Sequence, residues 1–407
     1  MTENQSPLPL PNLPMHLMLA MSCWLSSPFA LQCAKSALPP LKNSGKKAPK
    51  SPKAIAEALQ KAVAEEAKSR ANSLLAGILR YIETPYARNV TEPAAIWRCG
   101  NARLLDYGAT AGATLTADMP VALFVPSLIN RYYILDLEEE RSMLRFMATQ
   151  GIYPLVLDWG APGEHEKSFD CSAYITGILE PAISFISKAS GSPITLAGYC
   201  MGGVLALAAA LRQPKQVSSL ALFATPWDFG CKAFAPFVLD NQWLPMAESM
   251  IRMQQSLPAD IIQSLFYLSD PWVFEQKFRR FYELQPESRA ARDFVALEHW
   301  VNDGVPMTSG VAQDCLIGWA QQNQLMKKQW KVAGKAVNPA QYSLPCFIAI
   351  PRNDHVVPFD CAMPLASTMP NAHVIHPGAG HVGMIMGSHA KRELWQPLAE
   401  WLHAVAQ

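Results

Sequence analysis

Net charge is almost absent from this chain. Its 34 basic residues stand against 33 acidic ones over 407 residues, so no global electrostatic feature favours a nucleic acid partner. Its nine cysteines are an odd number and include no Cys-x-x-Cys pair, which excludes a zinc module or a disulfide framework and points to a reducing cytoplasm. No apolar run approaches the ~20 residues that span a bilayer, so no transmembrane segment is expected. Walker loops, dinucleotide-binding glycine patterns, internal repeats and extended low-complexity tracts are missing too, and no cofactor is expected. The apolar stretch Met15–Leu25 has the length of a signal-peptide core. The residues before it carry Glu3 but neither Lys nor Arg, so the expectation is a short interfacial helix and no export signal.

What is present divides into three parts. Residues 1–50 read as a mobile arm rich in proline and lysine, with six lysines and no acid between Lys35 and Lys53. Residues 51–90 read as a helix: Ser51 as N-cap, Pro52 in the first turn, Ile55, Leu59, Val63, Leu74, Ile78 and Leu79 at helical spacing, and Thr84-Pro85 as the stop. From residue 91 to 407 strands and helices alternate, as in a parallel sheet with right-handed crossovers. Strands are expected at Arg103–Tyr107, Val121–Val125, Tyr153–Leu157, Ile194–Ala197, Ser218–Phe223, Cys346–Ile350 and His373–Ile375. Helices are expected at Asp136–Gln150, Ala173–Ser187, Val204–Leu211 and the C-terminus. Between about 226 and 340 the alternation stops. That insert carries Trp243, Met246, Met250, Phe266, Trp272, Phe274, Phe278, Phe281 and Tyr282, and reads as a helical cap whose aromatics mostly form its own core.

The chemistry concentrates at Gly198-Tyr199-Cys200-Met201-Gly202-Gly203, between an expected strand and an expected helix. Gly-x-nucleophile-x-Gly at a strand-to-helix turn is the nucleophile elbow of α/β-hydrolase folds. The flanking glycines allow a sharp turn and leave room for the helix against the strand. Cysteine at the nucleophile position narrows the reaction. Backbone N–H groups at a helix start favour a thiolate. An acyl-cysteine is a thioester that exchanges with other thioesters at little cost in free energy, so acyl transfer is favoured over plain ester hydrolysis. The alternative for Cys200 is a buried small hydrophobe, the usual fate of a free cysteine.

In this fold the acid and the histidine follow the nucleophile on loops after late strands. Asp354 stands just beyond Phe347–Ile350, and His381 just beyond His373–Ile375 in a glycine-rich turn. His381 would hold or accept the thiol proton, and Asp354 would orient its other ring nitrogen. His355 competes with His381 but sits on the acid's own loop. A metal site at His373, His376 and His381 is disfavoured, because odd spacing along a strand sends His373 and His376 to opposite faces. The oxyanion hole needs the Met201 N–H and a second amide from the loop after Val121–Val125.

The stretch Ile129–Leu137 (Ile-Asn-Arg-Tyr-Tyr-Ile-Leu-Asp-Leu), together with Leu157–Gly160, the Gly198–Gly203 box, Asp354–Pro358 and Gly380-His381, resembles the polyhydroxyalkanoate synthases from about Val90 onward. The resemblance implies an acyltransferase that moves 3-hydroxyacyl groups from coenzyme A thioesters to a growing polyester held on Cys200. It implies that Asp354 helps activate the substrate hydroxyl and that His381 activates the thiol. It further suggests Ile129 as the second oxyanion donor, with Asn130, Tyr132, Asp136 and His355 near the substrate. A granule surface, a second synthase subunit and a homodimer are the implied partners, and a cytoplasmic, granule-associated location is implied. One departure is Phe359, where the family usually has Trp. Two readings compete: a thiol-type depolymerase or thioesterase that sends water to the acyl-cysteine, and a non-enzymatic granule-surface protein, against which the complete triad counts.

Overall fold

A computed structural model describes residues 52–112, 119–232 and 256–406, Asp270 excepted, and a few isolated positions elsewhere. Most of the expected interfacial helix and of the lysine-rich linker, with Ser51, Trp243, Met246, Met250 and the Phe266 side chain, lie outside the described residues. Contacts divide the chain into two units, one holding the N-terminal helix with Asp270–Asn302, the other Arg88–Ser269 with Asp303–Gln407. The stretch read as one insert, 226–340, is thus shared between the two.

In the first unit, α1 (Pro52–Glu83) runs for 32 residues. Its buried stripe is Leu74, Ile78 and Tyr81, spaced one turn apart, whereas Leu59 and Leu79 are exposed. The face closes where Gly77 meets the second helix of the unit: a Cβ there would lie 2.1 Å from the Phe278 carbonyl oxygen. Phe274, Phe278 and Phe281 are buried, and Phe281 stacks on Phe294 at 4.3 Å. These aromatics form a core shared with α1 rather than one of the insert alone, while Trp272 and Tyr282 face solvent.

The second unit is built on a sheet of eight strands: β1 (Ala95–Cys99), β2 (Ala102–Asp106), β3 (Val121–Val125), β4 (Tyr153–Asp158), β5 (Ile194–Tyr199), β6 (Val217–Phe223), β7 (Cys346–Ala349) and β8 (Ala372–Ile375). Their spatial order is β1-β2-β4-β3-β5-β6-β7-β8. β2 runs antiparallel to both neighbours and all other pairs are parallel. Strands β3 to β5 are buried throughout, which explains their continuous apolar runs. The expected helix at Asp136–Gln150 is shorter, Met143–Thr149. A small hairpin of Asp136–Glu138 with Arg141–Ser142 precedes it, and the Ser142 hydroxyl caps the helix by accepting from the Arg145 N–H at 3.0 Å.

Two glycine contacts set the spacing around β5. A Cβ on Gly198 would sit 2.4 Å from the Gly203 Cα, and one on Gly202 would sit 2.1 Å from the Val125 carbonyl oxygen. Backbone cannot yield as a flexible side chain can, so Gly202→Ala is expected to destabilise the protein by about 3 kcal/mol. Gly177→Ala, whose Cβ would meet only the Phe169 ring at 3.6 Å, should change stability by less than about 1 kcal/mol. Urea midpoints of the two variants test this, and equal midpoints would refute the close-approach argument.

Candidate active site

β5 delivers the chain to Cys200, which caps the helix Met201–Arg212. Cys200 itself has φ 55° and ψ −127°, a conformation costly for a residue with a Cβ. The sharp turn is therefore made at the nucleophile position, and the neighbouring glycines supply room rather than the turn. This refines the reading of the motif. The Cys200 N–H is held by the Phe223 carbonyl at 2.8 Å, which pins the turn to β6.

Asp354 and His381 are both buried and directly paired, with the His381 Nδ1 2.7 Å from the Asp354 Oδ2. The other carboxylate oxygen accepts from the Val356 and Val357 amides, each at 2.8 Å, so the acid cannot rotate without losing three bonds. The two loops are also joined through Asn353, whose side chain donates to the Gly378 carbonyl at 2.7 Å. The charge of the Cys200 thiolate also acts on the His381 imidazole. Burial alone would lower the histidine's pKa. The Asp354 carboxylate and then the Cys200 thiolate outweigh it and push the value up to about 10. Asp354 and His381, distant in sequence, thus meet as carboxylate and imidazole, with the Cys200 charge acting on the imidazole.

Tyr199 is a member of the site to which the sequence assigned no role. It is buried beneath the imidazole, with ring centroids 5.1 Å apart, and its hydroxyl donates to the His381 carbonyl at 3.3 Å. Burial, then the Cys200 and Asp354 charges, raise its pKa and keep it a donor. Its position between Gly198 and Cys200 was the available signal.

The loop after β3 departs from expectation. The Met201 N–H is the first amide of its helix and has no partner within that helix. The Ile129 N–H, expected as the second oxyanion donor, instead donates to the Ser127 hydroxyl at 3.1 Å. Asn130 forms a backbone bridge with Gly304. Tyr132 is buried and donates to Glu92 at 2.8 Å. Asp136 is completely buried, with one oxygen 2.9 Å from Arg145 and the other accepting from Arg88 at 2.8 Å and Tyr107 at 2.7 Å. A carboxylate taken wholly out of water needs such partners. Tyr132 and Asp136 therefore anchor the loop from within rather than face a substrate. His355 is exposed, one residue from the acid. His373 packs on Phe347 at 5.6 Å while His376 lies 3.3 Å from the Ile350 carbonyl. Among the described residues no group of three or more His, Cys, Asp or Glu is placed to hold a metal, and no helix is long and apolar enough to cross a membrane.

Two family models match this arrangement. One, described as the alpha/beta hydrolase family, covers residues 141–396, and the other, poly-beta-hydroxybutyrate polymerase (PhaC) N-terminus, covers residues 87–147. The poly(3-hydroxyalkanoate) polymerase subunit PhaC of Haloferax mediterranei is 26% identical over 315 residues, covering 76% of this chain and 63% of that one. Its counterpart from Haloarcula marismortui is 26% identical over 288 residues, covering 70% and 60%. That of Allochromatium vinosum is 24% identical over 307 residues, covering 74% and 85%. The match spans about three fifths of the length of the first two relatives. With the eight-stranded sheet, the elbow after β5 and a family model over more than half its length, this chain belongs to the alpha/beta hydrolase family.

Proposed function

We propose that the protein is a polyhydroxyalkanoate synthase, transferring 3-hydroxyacyl groups from coenzyme A to a polyester chain. The observation that carries the reading is a cysteine at the elbow, together with a histidine that a buried aspartate holds at 2.7 Å and on which the cysteine's charge acts. The similarity to poly(3-hydroxyalkanoate) polymerase subunits supports it. In the first step the Cys200 thiolate attacks the thioester carbonyl, and the Met201 N–H stabilises the oxyanion. The carbon–sulfur bond to coenzyme A breaks, and its thiol leaves with the proton carried by His381. In the second step a 3-hydroxyl attacks the acyl-Cys200 thioester. The hydroxyl proton passes to His381, an ester bond forms and the Cys200 thiolate is regenerated. The first exchange is close to thermoneutral, and the second is downhill because an ester is more stable than a thioester.

The described cysteines are all free thiols, which fits a reducing cytoplasm. The relatives' designation as subunits supports a second synthase subunit as partner, and a polyester granule is the surface on which a growing insoluble product would collect. Incubation with 3-hydroxybutyryl-coenzyme A tests the reading. Thiol release should be accompanied by turbidity from polymer. Stoichiometric free 3-hydroxybutyrate without turbidity would identify a thioesterase, and no thiol release with or without an added synthase subunit would refute both.

A further inference from the structure

The loop after β3 is tied at both ends. At its start the Pro126 carbonyl accepts from the Trp159 indole N–H at 2.9 Å. At its far end the Ile129 carbonyl accepts from the Val305 N–H at 2.9 Å, and Asn130 bridges to Gly304. Between these ties lies Ser127, a buried serine whose hydroxyl accepts from the Ile129 N–H at 3.1 Å. Among the described residues that amide is the hydroxyl's one partner, so its own proton is uncommitted. The same loop lies against the elbow. A Cβ on Gly202 would come within 2.1 Å of the Val125 carbonyl oxygen and 2.6 Å of that of Pro126. Ser127 directly follows this contact on one segment, and Met201 directly precedes it on the other.

We propose, on the reading of Cys200 as the acyl carrier, that the Ser127 hydroxyl is the second oxyanion donor, with the Ile129 amide standing behind it rather than facing the substrate. As the thiolate bonds to the acyl carbon, the carbonyl π pair moves onto the oxygen. The negative charge there accepts from the Met201 N–H and the Ser127 O–H. When the pair returns, the carbon–sulfur bond to coenzyme A breaks with its electrons on that sulfur, and neither donor has lost its proton. A hydroxyl that already accepts an N–H donates its own proton more strongly, because hydrogen bonds in a chain polarise one another. Pro126 has no N–H to offer. The ties at Ile129 and Asn130 oppose any turn of the Ile129 amide away from Ser127.

The probe is a short alkyl trifluoromethyl ketone, isotopically enriched at its carbonyl carbon. A cysteine thiolate adds to that carbon and leaves a tetrahedral adduct whose oxygen titrates in the nuclear magnetic resonance spectrum. In the full chain, Ser127→Ala should weaken adduct formation by about a hundredfold and raise the pH at which the adduct ionises. Ser127→Thr, which keeps the hydroxyl, should resemble the unmodified protein. Ser127→Gly removes the same hydroxyl and repeats the measurement if the alanine variant does not fold. A purely structural role would lower the fraction of protein that forms adduct without moving its ionisation. Unchanged ionisation in the alanine variant would give the role to a main-chain amide of the loop and overturn the proposal. Tighter binding would overturn it too, since Ser127 would then be a competitor that keeps the Ile129 amide from the oxygen. The probe carries no coenzyme A and forms no polymer, so a failure of the synthase reading with 3-hydroxybutyryl-coenzyme A is seen separately.

Discussion

Replacing Cys200 by alanine is expected to reduce coenzyme A release by at least about a thousandfold, because the step that forms the acyl-enzyme disappears. Met201 and the rest of the elbow remain, so the loss is chemical rather than structural. A trapped acyl adduct in the unmodified protein should map to the peptide containing Cys200 and to no other thiol. Serine at this position separates two explanations. If any nucleophile served, Cys200→Ser would turn over. If exchange between thioesters is the point, the serine variant should acylate at most once and then stall, since its ester is too stable to pass the chain on. The φ of 55° adds a stability readout. Cys200→Gly should raise the urea midpoint, by about 1 kcal/mol in stability, because glycine carries no Cβ to strain there. Turnover retained in the alanine variant would remove Cys200 from the mechanism.

Much of this site was legible before any coordinates, for a physical reason. Strands β3 to β5 are covered on both faces, so their sequences are continuous apolar runs with sharp ends, and Val121–Val125 is read to the residue. The elbow, the acid and the histidine each follow such a strand, so their loops are placed with it. The edge strand β1 was missed because it alternates partly buried with exposed residues and carries Arg98 and Trp97, with no uninterrupted apolar run. The helix start at Asp136 was misplaced for a different reason. Arg88, Tyr107 and Arg145 come from three separate segments to satisfy that carboxylate, a long-range arrangement that no local pattern announces. The same holds for Ile129, whose amide is taken by the Ser127 hydroxyl two residues earlier. Local competition of this kind between a hydroxyl and a backbone N–H is common in turns.

Asp354→Asn carries the second large expected effect, a loss of about a thousand- to ten-thousandfold in turnover with the fold retained. The carboxylate now uses one oxygen for the two valine amides and the other for the His381 Nδ1. An asparagine keeping its oxygen on the amides would turn its NH₂ toward the imidazole. Nδ1 then becomes an acceptor and the proton moves to Nε2, leaving no base to face the thiol. The charge change also predicts a pH effect of definite sign. The His381 pKa is pushed up to about 10 from an ordinary 6.5, after burial has pulled the other way, by Asp354 and then Cys200. A histidine whose folded value lies above its unfolded one adds stability that is fully present below about pH 6.5 and is lost as pH rises through about 10. In Asp354→Asn the largest upward influence is gone, so the histidine's value falls. The stability gap between the two proteins should therefore be wide near pH 6 and narrow above about pH 10. Urea midpoints measured across that range decide the matter. Parallel curves for the two proteins would mean that Asp354 holds the loop through its amide bonds alone and does not govern the charge on His381.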